Sequence, residues 1–132
     1  MEKLSTIQKR ENLNEVWALE KGIGNGTRCY MIVKSNRATA DYENDQLIVD
    51  ANDCIAVLQF QDGSRKDPKA ITGITNEDLL EIVRNRLKEF QSGEFATREN
   101  ACALTHIEEA LMWLNKRVED RIERNVLGTY EK

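Results

Sequence analysis

A single histidine, a single proline and three scattered cysteines among 132 residues remove several function classes at the outset. One imidazole cannot build a histidine metal site, and any Cys–His or Ser–His pair would have to use that same ring, His106, which stands inside a helical pattern beside Glu108 and Glu109. Cys29, Cys54 and Cys102 are odd in number and form no CxxC pair, which fits free thiols in a reducing compartment. There is no block of consecutive Lys or Arg, and 19 basic residues against 23 acidic ones give a net charge of −4, so long DNA or RNA is not an expected partner. The apolar runs are too short for a secretory core or a membrane span, which makes the cytoplasm the expected location and gives no expectation of a membrane partner. Nothing in this inventory calls for a metal or a cofactor. Two or three well-placed arginines are nevertheless enough to hold a small phosphorylated ligand.

What the chain does have is a long helical pattern in its last third. Residues 97 to 126 read as one helix of about 30 residues, roughly 45 Å at a 1.5 Å rise per residue. Ala103, Ile107, Leu111, Leu114, Val118 and Ile122 form its apolar stripe, with Leu104 and Trp113 at the flanks and Gly128 as the stop. A chain of this length has little else with which to cover such a rod, so the pattern predicts an oligomer. Before it, Thr75 is the expected N-cap of a shorter helix whose Leu79, Ile82, Val83 and Leu87 recur at helical spacing up to Phe90, with Gly93 ending it. Residues 75–127 are therefore a helical hairpin with a short bend.

The first half alternates apolar and polar residues at strand spacing. Strands are expected around Val16 to Leu19, Thr27 to Ser35, Leu47 to Val49 and Cys54 to Gln61, with a GIGNG turn at 22–26 and another at Asn52-Asp53. A polar loop, QDGSRKDPK at 61–69, follows and holds Pro68. The GIGNG glycines read as a hairpin turn, because no helix with a free N-terminus follows them. Residues 1–14 are a polar arm, weakly helical or loose. The fold expected is α+β in a single domain spanning 1–132: the arm, an antiparallel β-sheet part at 15–70, and the C-terminal hairpin with one long helix.

Few side chains have the chemistry of a ligand site, and each has a plain structural alternative. Phe90, in the last turn of its helix, is either core or a stacking face for a base. Asn100 lies in the first turn of the long helix, where backbone N–H groups are free and an anion is favoured; its alternative is a solvated or loop-bonding asparagine. Arg117, Arg121 and Arg124 fall on one side of that helix, where salt bridges such as Asp120 to Arg124 and Lys116 to Asp120 have the right spacing. Asn100 and Arg117 stand 17 residues, or about 25 Å, apart on one helix, so only two chains would let them share a small ligand. Arg65 in the 61–69 loop is a further candidate for closing such a pocket.

At FQSGEFATREN…ALTHIEEALMWLNKR…DRIER…GTY, over roughly residues 89–130, the chain resembles the helical-hairpin domain shared by two groups of phage immune-evasion proteins. These are the Thoeris anti-defence sponges and the smaller anti-CBASS cyclic-nucleotide sponges. The GIGNGTRCYMIV segment and the N-terminal sheet are similar to the first group, which sequesters cyclic ADP-ribose isomers. The resemblance implies a non-enzymatic protein that holds a cyclic nucleotide signal intact in an infected bacterial cell, as a homodimer or a trimer of dimers. It implies a pocket between two protomers, with Phe90, Asn100 and Arg117 at the matching positions and Arg65 as the loop contribution; Arg121 is a further ligand-binding candidate, for separate cyclic-oligonucleotide sites. Cyclic oligonucleotides are a second ligand class in such families. The competing readings are an enzyme that cleaves a cyclic nucleotide through acids such as Glu108 or Asp120, and an oligomeric protein-interaction module without a small ligand.

Overall fold

The computed structural model describes residues 1–21, 26–130 and 132. It is α+β: antiparallel strands in the N-terminal part, then two helices. The chain divides into two compact units, residues 1–63 with 68–73, and residues 64–67 with 74–132.

The first unit is built on a four-stranded antiparallel sheet of β1 (Glu2–Lys3), β2 (Asn14–Lys21), β3 (Thr27–Lys34) and β6 (Cys54–Gln59), in the order β1-β2-β3-β6. Strands β4 (Ala38–Asp41) and β5 (Gln46–Val49) form a separate two-stranded sheet between β3 and β6 in sequence. Trp17 pairs with Met31, and Met31 with Val57, so these three share a face on which Val33 also lies, two residues further along β3. Trp17 is 6% exposed and Val33 is fully buried, so this face is covered at β2 and at the Val33 end of β3, while Val57 on β6 stays exposed. Ala18 is buried on the other face. Register shifts interrupt β2 after Ala18 and β3 at Ile32–Val33, the local kinks expected where one strand gains a residue on its partner. After β6 the chain returns through an isolated bridge between Asp62 and Ile71, and Gly73 comes so close to the Gln59 carbonyl that a Cβ there would overlap it.

Several strand expectations hold and two differ. The segments around Val16, Thr27, Leu47 and Cys54 are strands, and a short 3-10 turn (Ala51–Asp53), capped by the Asp50 carboxylate, separates the last two. Residues 1–14 begin as a strand rather than a loose or helical arm, because Glu2 and Lys3 pair with Ala18 and Trp17. Leu47 to Val49 belongs to a small sheet with the unforeseen β4 instead of the main one. The GIGNG turn has residues 22–25 outside the described residues.

The second unit is the helical hairpin, α1 (Asn76–Gln91) and α2 (Arg98–Glu123). Thr75 caps α1 with a reciprocal pair of bonds: its hydroxyl accepts from the Asp78 N–H, and the Asp78 carboxylate accepts from the Thr75 N–H. Thr97 caps α2 by accepting from the Asn100 N–H at 3.0 Å. The long helix is 26 residues, about 39 Å, and ends earlier than the glycine suggested. Asn125 takes the left-handed conformation (φ 57°), its N–H donates to Ile122 O and the Val126 N–H to Arg121 O, which is the two-bond closure of a helix end. Asparagine supplies here what Gly128 was expected to supply.

Packing between the two helices follows the expected apolar stripe of α2 except at its ends, and departs from the apolar pattern on α1 at Ile82 and Val83. On α1, Leu80, Arg84, Leu87 and Gln91 are half-buried at helical spacing, while Ile82 and Val83 stay exposed. On α2, Leu104, Ile107, Leu111, Leu114 and Val118 are half-buried, whereas Ala103, Ile122, Met112 and Trp113 are exposed. Arg84 Nε donates to Glu108 Oε2 at 2.8 Å across the pair, and that bond holds the guanidinium pKa above its ordinary value. Among the described residues no apolar side chain of this unit is fully buried.

Candidate functional site

The bend of the hairpin gathers two of the five candidates. Gln91 ends α1 and its side-chain carbonyl accepts from the Thr97 N–H at 3.0 Å, which fixes a six-residue connection at residues 92–97. Asn100, half-buried in the first turn of α2, donates from its amide to the Phe95 carbonyl at 3.4 Å. Its own N–H is consumed by the Thr97 cap, so it is the loop-bonding asparagine in this chain, and what it offers outward is the rest of its amide. The Phe90 ring is 38% exposed and lies 6.2 Å from the Phe95 ring, tilted at 57°. Phe90 is therefore a surface aromatic and not a core one.

Two side chains absent from the sequence reading join this cluster. Phe95 is 65% exposed, and Arg86 sits with its guanidinium carbon 5.5 Å from the Phe90 centroid. The spacing of Arg86 and Phe90, i and i+4 on one helix, is the signal that carries the second of these. A loop phenylalanine has no such signal.

The other three candidates lie toward the far end of α2. Arg117 is exposed and makes no hydrogen bond or ion pair among the described residues. Of the two salt bridges with the right spacing, Asp120 to Arg124 forms at 3.2 Å, while Lys116 instead stands 5.3 Å from the Trp113 ring centroid. Arg121, only 6% exposed, donates to the carbonyls of Val126 and Thr129, both at 3.0 Å, and so clamps the tail that follows the helix. Arg65 is exposed in the loop segment 64–67, which meets the same tail: the Ser64 N–H donates to the Tyr130 hydroxyl at 3.1 Å, and that hydroxyl donates to Asp67 at 3.0 Å. Phe90 and Asn100 thus form one cluster, and Arg65 and Arg121 are tied to the tail at the other end of the rod. Arg117 stands between them, some 25 Å from Asn100 along α2.

The acids considered for hydrolysis are otherwise engaged, Glu108 with Arg84 and Asp120 with Arg124, and His106 is exposed beside Glu109 at 3.9 Å. The described residues contain no group of three or more His, Cys, Asp or Glu side chains able to hold a metal ion, and no helix long and apolar enough to cross a membrane.

Comparison with known proteins meets this geometry at the hairpin. The family described as Acb2/Tad1, hairpin domain, matches residues 56–119, from β6 through α1 into α2. A protein of Bacillus phage SBSphiJ7 named Thoeris anti-defense 1 is 51% identical over 78 residues, covering 59% of this chain and 54% of its own length. The chain thus spans about half the length of that curated relative. Over this hairpin, the chain is similar to the Acb2/Tad1 hairpin family and to that phage anti-defence protein.

Proposed function

We propose that this chain is a phage anti-defence protein that binds the cyclic ADP-ribose isomer signal of the bacterial Thoeris system and holds it intact, so that the effector downstream in the infected cell is not activated. The observation that carries the reading is the division of ligand chemistry along one hairpin. An exposed aromatic and an amide sit at the bend, and an uncommitted guanidinium sits about 25 Å along the same rod. Two copies packed antiparallel along their long helices bring Arg117 of one to Phe90 and Asn100 of the other. The exposed Met112 and Trp113 supply apolar surface for that packing. Arg65 contributes from the loop tied to the tail, and Arg121 acts from behind by positioning that tail.

Sequestration without turnover needs donors and stacking surfaces but no activated nucleophile, and the candidate acids are held by arginines. The working unit is a homodimer, alone or assembled as a trimer of dimers. Cyclic di- and trinucleotides, the signals of CBASS defence, present the same bases and phosphates and form the second ligand class to be assayed. Incubating the protein with an equimolar cyclic ADP-ribose isomer and then denaturing it by heat should return the ligand chemically unchanged. Recovery of ADP-ribose would identify a hydrolase and end the sponge reading.

A further inference from the structure

Resting on the site just proposed, we infer that Arg86 is a further ligand-binding residue, supplying a phosphate contact from the same chain as Phe90 and Asn100. Arg86 and Phe90 are one turn apart on α1, and the guanidinium lies over the ring at 5.5 Å from its centroid. Arg86 forms no ion pair with a carboxylate among the described residues, whereas Arg84, two positions earlier and on the inner side of α1, is taken by Glu108 and Glu81. A cation–π contact consumes no N–H, so the in-plane donors of the guanidinium stay unspent.

Those in-plane donors match the oxygens of a phosphate, which a planar fork can grip with two parallel bonds. Beside them, Phe90 and Phe95 present two exposed rings tilted at 57°, and the Phe95 carbonyl is held by Asn100. One chain therefore offers a planar stacking surface, an amide and a phosphate donor within a single cluster at the bend. A ligand with a purine base joined to a pyrophosphate satisfies all three. Arg117 of the second chain then meets the remaining charge instead of carrying all of it.

The proposal is tested by calorimetry of the full chain with a cyclic ADP-ribose isomer, using Arg86→Ala in the wild-type background and in a Phe90→Leu background. Loss of the charge-assisted contact is expected to weaken binding roughly tenfold or more in both backgrounds, because Arg86 touches the ligand independently of the ring. Wild-type affinity in Arg86→Ala, or a cost that disappears once Phe90 is Leu, would overturn the assignment while leaving the proposed site standing, since the second result would make Arg86 only a support for the ring. Silence of the unsubstituted protein toward cyclic ADP-ribose isomers would overturn this inference together with the reading on which it rests.

Discussion

Single side chains in this protein divide into those that hold the fold and those left free for a partner, and their neighbours show which is which. Arg121 is of the first kind: buried, it donates to the Thr129 carbonyl and shares the Val126 carbonyl with the Thr129 N–H and hydroxyl, past the end of α2. Arg121→Ala should cost about 1.5–3 kcal/mol for the lost charge-assisted bonds and should speed amide exchange in the tail at residues 125–130. An unchanged exchange pattern would show that the bonds made by Thr129, Tyr130 and Arg124 hold the tail without Arg121. The thiols give a second contrast. Burial, with Glu20 nearby, pushes the Cys29 thiol above its ordinary pKa, while Cys102 is exposed on α2. A raised pKa leaves less thiolate at neutral pH, so timed alkylation at pH 7.5 read by mass spectrometry should label Cys102 well before Cys29. Equal rates would mean that the strand around Cys29 opens readily.

At the scale of elements, caps decide where the helices begin. Thr75 closes a reciprocal pair with Asp78, and Thr75→Ala should lower stability by about 1 kcal/mol, seen as a lower midpoint in urea with an unchanged slope. The small β4–β5 hairpin depends on its turn instead. Asn44 bonds the Asp41 carboxylate through both side chain and backbone and holds its pKa below the ordinary value. A carboxylate depressed in this way stabilises the turn above its unfolded pKa, and that contribution is lost as pH falls through the lower folded value. Amide protection in β4 and β5 should therefore decline in the parent as pH falls through that range, whereas in Asp41→Asn, which cannot ionise, it should start lower and lack this acid step. Both helix starts were legible because threonine followed by acidic residues has a direct mechanism. The end of α2 was misplaced because Asn125 can adopt the left-handed conformation that a reading by glycine assigns to Gly128. Strand β1 escaped notice because two residues carry no alternation, and β4 because its ATAD sequence has no large apolar residue, unlike QLIV in β5 of the same length. Periodicity marked Ile82 and Val83 as apolar without saying what covers them, and within this chain nothing does so fully. Of the site, the nearness of Phe90 and Asn100 followed from the short bend, while the contact of Arg86 with Phe90 depends on rotamers that spacing permits but does not fix.

For the whole molecule, the decisive question is whether one chain can bind alone. A two-helix layer with no fully buried apolar side chain has an unfinished core, and exposed Met112 and Trp113 lie on its long helix. If a second copy covers them, Trp113→Lys should shift the sedimenting species toward a monomer and weaken ligand binding together. A stronger test uses the separation of Asn100 from Arg117. Asn100→Ala and Arg117→Ala should each cost about 1–3 kcal/mol of affinity when prepared separately, because each spoils every shared site. Coexpressed in equal amounts, the two variants pair at random, and about half of the dimers contain one chain of each kind. In such a dimer the intact Asn100 of one chain faces the intact Arg117 of the other, which restores one site of two, so about a quarter of all sites should recover wild-type affinity. Ligand stoichiometry in calorimetry reads that fraction directly. If Arg117 served a site within its own chain, each chain would still carry one broken partner and mixing would restore nothing.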